Sequence, residues 1–173
     1  MDVFEAIRGR RSIRAFTGDK VSDDTVKRLI DAARWAPSAG NIQPWDFVIV
    51  RDLVTKRRLS AAALDQTFIE EAPIVIVVCA DKKRSGGRYG QRGVNLYCLQ
   101  DTAAAVQNML LAARALGLGA CWIGAFREEE VERILKTPKA VRTVAIVPVG
   151  HPAEKPSAPQ KRSIGDITHY ESF

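Results

Sequence analysis

Arg10, Arg11, Ser12 and Arg14 stand in a single five-residue run, RRSIR, with Arg8 just before it and no acidic residue between positions 8 and 14. Adjacent guanidinium groups beside a hydroxyl form a compact set of charge-assisted donors, and their fork geometry suits phosphate oxygens. A second segment, Trp35–Trp45 (WAPSAGNIQPW), is eleven residues long and uncharged. Two Trp, two Pro and one Gly beside Ser, Asn and Gln have the composition of a rigid wall with a few placed polar groups, as in a pocket for a flat ligand. The alternative is a buried connection in which the Trp rings belong to the core. A third segment, Lys82–Gly93 (KKRSGGRYGQRG), is basic and glycine-rich. It reads either as a loop of solvated charges or as a border of the ligand cleft, with Tyr89 and Arg92 as candidates for substrate contact.

Standard catalytic signatures are absent. A dinucleotide fingerprint starting at Gly117 and Gly119 would need glycine where Trp122 stands. A nucleophile elbow around Ser38 fails because position 36 is Ala. The two histidines, His151 and His169, lie near no cysteine, so metal ligation is not expected.

The elements that must position these segments alternate between helix and strand. Asp2 and Glu5 form a capping-box pattern ahead of a helix running to about Gly9. Ser22 caps the next, in which Val26, Leu29, Ile30 and Ala33 recur at helical spacing until Pro37 stops it. Phe47–Val50 is a short strand and Asp52–Leu64 a polar-faced helix. Ile74–Ala80 is wholly apolar and mostly β-branched, the pattern of a strand buried on both faces. Asn95–Leu116 is apolar nearly all round, as in a central helix. Ala120–Ile123 and Thr143–Val149 are further strands, separated by a surface helix over Arg127–Lys136. Fully apolar strands among helices imply a sheet covered by helices.

Residues 152–173 differ from this core, 1–151. Pro152, Pro156 and Pro159 stiffen the start, and Ile164, Ile167, Tyr170 and Phe173 follow at regular spacing. An extended arm with an apolar end suggests docking on a partner subunit.

The chain has 173 residues, 46% apolar and 27% charged, with net charge +6. That is enough for one self-sufficient domain. No uncharged stretch is longer than the twelve residues of Thr102–Ala113, short of the roughly 20 residues a membrane helix needs. The N-terminus has no signal-peptide core, and three unpaired cysteines read as reduced core residues, so a cytoplasmic protein without membrane contact is expected. The basic excess suits an anionic ligand or nucleic acid. Against a nucleic-acid-binding module, the aromatic residues lie among neutral pocket residues rather than among the basic clusters.

RRSIRAF (Arg10–Phe16), PSAGNIQPW (Pro37–Trp45), the long helix ending in LGLG, WIGAF (Trp122–Phe126), the strand ending Pro148-Val149-Gly150 and the arm ending His169-Tyr170-Glu171 occur in that order. With these motifs the chain resembles the nitroreductase family of FMN-dependent NAD(P)H oxidoreductases over almost its full length. The resemblance implies an α+β three-layer sandwich, with a central mixed sheet flanked by helices. It also implies an intertwined homodimer with exchanged C-terminal arms and FMN at the interface. Arg10, Arg11 and Ser12 would hold the phosphate and ribityl chain, with Arg162 and Lys161 from the arm, and Arg14 would lie at the pyrimidine edge. Pro37, Ser38, Ala39 and Asn41 would come from the other subunit. Trp122, Ile123 and Gly124 would run along the ring, the N–H of Gly124 facing N5. No catalytic side chain is implied, because the cofactor carries the chemistry. Hydride would pass from NADH or NADPH to a nitroaromatic, quinone or free flavin by a ping-pong sequence. A non-catalytic flavin carrier or sensor would use the same residues. Larger members carry an insertion over the flavin where this chain has only Lys82–Gly93, so a more open cleft is expected.

Overall fold

A computed structural model describes residues 1–173. Helices α1 (Val3–Gly9) and α2 (Asp23–Arg34) precede strand β1 (Trp45–Val50). Helices α3 (Leu53–Ala62) and α4 (Phe68–Glu71) lead to β2 (Ile74–Asp81). Then come α5 (Lys82–Arg92), α6 (Cys98–Ala115), β3 (Gly119–Ala120), α7 (Glu128–Leu135) and β4 (Val141–Gly150). The helix starts follow their caps. Asp2 accepts the Glu5 N–H at 2.9 Å while Glu5 accepts that of Asp2 at 3.0 Å. Ser22, Asp52 and Asp81 cap α2, α3 and α5.

The strands lie in the order β1-β2-β4-β3. The chain is an α+β sandwich of three layers, and β2 shows why. Ile74, Ile76 and Val78 face one way, onto Leu29 and Ala33 of α2 and Val106 and Met109 of α6. Val75, Val77 and Cys79 face the other way, onto Leu59 of α3, Ile69 of α4 and Val131 of α7. Side chains alternate across a strand, so a uniformly apolar run serves two cores at once. Burying each large member contributes about 1.5–3 kcal/mol. No helix is long and apolar enough to cross a membrane.

Three details correct the sequence reading. The sheet is antiparallel at every strand pair instead of mixed; parallel pairing is confined to one bridge between Ser12 and Ala120. Lys82–Arg92 is helical with a break at Gly90 (φ 53°), not a loop. Its glycines allow close approach: a methyl group on Gly86 would lie 2.8 Å from Val94, and Gly93 sits against the Ser85 carbonyl with no room for a side chain. The long helix begins at Cys98, after a wider π turn over Gly93–Tyr97. The short helix α4 carries no periodic signal and was not anticipated.

Beyond Gly150 no residue is buried. Ala153 donates to the Ala15 carbonyl at 2.9 Å, and Thr17 to that of His151 at 2.9 Å, so the arm starts as a stitch along residues 15–17. Ile164, Tyr170 and Phe173 then stand exposed.

Candidate functional site

The arginine run begins where α1 ends. Arg10 takes an extended backbone, and three residues on, the N–H of Ile13 donates to the Ala120 carbonyl at 3.1 Å. That contact lays the run beside the segment leading to Trp122. Arg8, Arg10, Arg11, Ser12, Arg14 and Lys161 line a cavity of about 610 Å³, closed on one side by Pro156–Pro159. No carboxylate lines it, and Arg10, Arg11 and Arg14 form no salt bridge. Arg11 donates through Nη1 to the carbonyls of Arg8 (2.7 Å) and Arg10 (2.8 Å), while its Nε is buried with no acceptor. A buried, unsatisfied cationic donor is costly unless an acceptor arrives, and a dianionic phosphate is an acceptor of the right charge. Glu154 lies close by but is occupied, accepting the backbone N–H groups of Arg14 and of Ala15 (3.1 Å).

Within one chain the two cations expected from the arm are placed differently. Lys161 lines the cavity. Arg162 turns back and donates to the carbonyl of Asp166, because an exposed guanidinium takes the nearest acceptor in its own arm.

Pro37, Ser38, Ala39 and Asn41 lie between α2 and β1, in a tight turn. Gly40, Asn41 and Gln43 all have positive φ, at 55°, 54° and 55°. Ser38 Oγ accepts the Gln43 N–H at 3.0 Å, and Asp101 of α6 accepts the Ala39 N–H at 3.1 Å. Burial pushes the Asp101 carboxyl above the usual carboxylate range, and the Ala39 hydrogen bond offsets part of that. Trp35 is 74% exposed, so its ring is not core.

Trp122, Ile123 and Gly124 leave β3. Ile123 exchanges two backbone hydrogen bonds with Ile146, at 2.9 and 3.0 Å, and its side chain is buried in the core under α3, α4 and α7. It can therefore offer a ligand no side-chain contact. Trp122 is 40% exposed, and the N–H of Gly124 has no backbone partner in the chain. Trp122 and Gly124 border a cavity of about 280 Å³.

Tyr89 and Arg92 sit on α5. Arg92 donates to the Tyr97 hydroxyl at 2.8 Å, and the rings of Tyr89 and Tyr97 meet edge to face at 5.1 Å. Both residues are thus turned onto the protein. Sequence reasoning passed over Asp101, although it is the only charged residue between Gly93 and Ala113.

Within one chain the two halves of this site do not meet. The Pro37–Asn41 turn is tied to Asp101 near the start of α6. Arg10 and Arg11 share a second cavity, of about 400 Å³, with Arg114 at its end. At 1.5 Å per helical residue the two anchor points are about 20 Å apart.

The model of the Nitroreductase family matches residues 7–69 and 60–151. A relative from Archaeoglobus fulgidus, whose name pairs NADH dehydrogenase with NAD(P)H nitroreductase, is 36% identical over 158 residues, covering 89% of this chain and 87% of the relative. The FMN reductase (NADPH) of Bacillus subtilis is 32% identical, over 97% of this chain and 74% of its own length. Among solved structures, the NADPH:FMN oxidoreductase from Vibrio harveyi complexed with NAD+ superposes with a TM-score of 0.91 at 27% identity, covering 99% of this chain and 77% of that one. Sequence match and shared fold agree, and this chain belongs to the nitroreductase family.

Proposed function

We propose that this oxidoreductase binds FMN and uses NADH or NADPH to reduce a small oxidised acceptor such as a nitroaromatic, a quinone or free flavin. The carrying observation is the arginine-lined cavity without a carboxylate, in which Arg11 Nε is buried and unpartnered. Arg10, Arg11, Ser12 and Lys161 hold the phosphate there through charge-assisted hydrogen bonds. Bound at this place, FMN supplies two-electron redox chemistry that none of the protein's side chains offers.

The remaining residues orient and polarise. Arg14, exposed at the end of the run, places a positive charge at the pyrimidine edge, where negative charge develops. Gly124 presents its free N–H as a donor, and Trp122 walls the cleft. Pro37, Ser38, Ala39 and Asn41 reach the same ligand from a second copy of the chain, because their own arginine run lies about 20 Å away along α6. The exposed apolar end of the arm, Ile164 to Phe173, packs on that copy. No side chain is assigned a proton-transfer role.

The test is a visible spectrum of the purified protein, followed by NADH or NADPH without oxygen. A yellow protein that bleaches quickly is the expected result. A yellow protein indifferent to both nucleotides would leave a flavin carrier or sensor. A colourless protein that takes up no added FMN would overturn the reading.

A further inference from the structure

We propose that α5 is a clamp on the Ser38–Gln43 turn, with Arg84 and Arg88 as positioning residues that hold the turn in the shape its ligand meets. The ligand's identity rests on the function proposed above; the clamp itself does not.

The turn needs holding. Three of the four residues from Gly40 to Gln43 have positive φ, and two of them, Asn41 and Gln43, are not glycine. Such backbone costs on the order of 1 kcal/mol or more per residue and persists only where the surroundings over-determine it.

The restraint comes from two directions. On one side α6 contributes a single bond, from the Ala39 N–H to Asp101 Oδ1, and Asp101 Oδ2 is buried with no partner. On the other side α5 takes the carbonyls. Arg84 Nε donates to that of Ile42 at 2.6 Å, and Arg88 Nη1 to that of Gly40 at 3.2 Å. Neither arginine has a carboxylate partner, and besides the turn Arg88 faces only the ring of its neighbour Tyr89, 5.6 Å from the centroid. Charge-assisted bonds of this kind are about twice as strong as neutral ones.

Packing on α5 is also tight at Gly40. A methyl group there would lie 2.5 Å from the Tyr89 hydroxyl and 2.8 Å from Arg88 Nη1. The spacing of Arg84 and Arg88, one helical turn apart, matches the two alternate carbonyls they hold. With its carbonyls gripped by α5, the turn keeps Pro37 and Asn41 exposed.

The experiment uses the full chain, with and without FMN. Arg84 and Arg88 are exposed, so Arg84→Ala/Arg88→Ala should fold, which an unchanged Tm would establish. Amide hydrogen exchange is followed at Asn41, Ile42 and Gln43, whose N–H groups are bonded within the turn, and at Ala39, whose N–H is bonded to Asp101. Exchange at these four sites should quicken by about tenfold or more without FMN, and Arg84→Lys/Arg88→Lys should restore part of the protection. Unchanged exchange would overturn the clamp.

The second readout is the FMN Kd, measured at low and high salt by quenching of flavin fluorescence. Positioning predicts that the ratio of variant to wild-type Kd is the same at both. A ratio that collapses at high salt would mean that the arginines act only by screened attraction, and would overturn positioning. A wild-type protein that binds no FMN would remove the proposed function, while the exchange rates would still decide the clamp.

Discussion

Ile13 donates its N–H to the carbonyl of Ala120 at 3.1 Å, and its side chain lies flat on Gly119, where an added methyl group would come within 2.8 Å of Ile13 Cβ. This contact joins the arginine run to the strand that leads to Trp122. Gly119→Ala should force the two apart. Overpacking of this kind costs about 1–3 kcal/mol, so the urea midpoint should fall and FMN affinity with it. A variant with wild-type stability and affinity would show that the junction is not needed.

Arg10→Ala should weaken FMN binding by about 1.5–3 kcal/mol, the scale of a hydrogen bond to a charged group. Riboflavin, which lacks the phosphate, should bind the variant and the wild type equally. Parallel titrations followed by flavin fluorescence check this. An equal loss for both ligands would move Arg10 away from the phosphate.

The arm's stitch and its apolar end can be separated. Truncation after Lys155 keeps the Ala153 and Glu154 contacts but removes Lys161 and the residues from Ile164 to Phe173. The shortened chain should run as a monomer in light scattering and lose FMN. If it stays dimeric and yellow, the arm serves neither purpose.

Glu128 and Arg142 form a paired-fork contact at 2.9 and 2.7 Å, and those hydrogen bonds hold the Glu128 carboxyl below the usual glutamate range. A depressed folded value means that the unfolded chain takes up the proton first as pH falls. The contribution is therefore present above the ordinary glutamate pKa and is lost as pH drops through the lowered one. Both side chains are about 40% exposed, so solvent screening keeps the effect under about 1 kcal/mol. Glu128→Gln should lower the urea midpoint modestly near neutrality and match the wild type in acid. A gap that persists in acid would trace to packing instead.

Much of the layered fold was legible because one signal carried it. The unbroken apolar run of β2 demands helices on both faces, and the capping residues mark where helices start. The direction of strand pairing was not legible, since apolar strands read alike whether their neighbours run parallel or antiparallel. Lys82–Arg92 misled for a different reason. Glycine signals a loop by its backbone freedom, yet Gly86 and Gly93 serve here to let Val94 and Ser85 pack close. The arginine run was legible from charge alone, and it lines a cavity. The bond from Arg162 to the Asp166 carbonyl was not, because which acceptor an exposed arginine takes depends on how its arm folds back. Asp101 was visible as a lone charge in an apolar helix, but what it holds lies 62 residues away in sequence.

The rise of α6 between Asp101 and Arg114 has one more consequence. On the proposed reading each ligand is completed by two chains, so occupancy is second order in protein: dilution empties the site even when the ligand is abundant. It also permits complementation. One chain broken in the arginine run and another broken in the Pro37–Asn41 turn would each be inactive with their own kind, yet mixed they would rebuild one whole site in every hybrid pair.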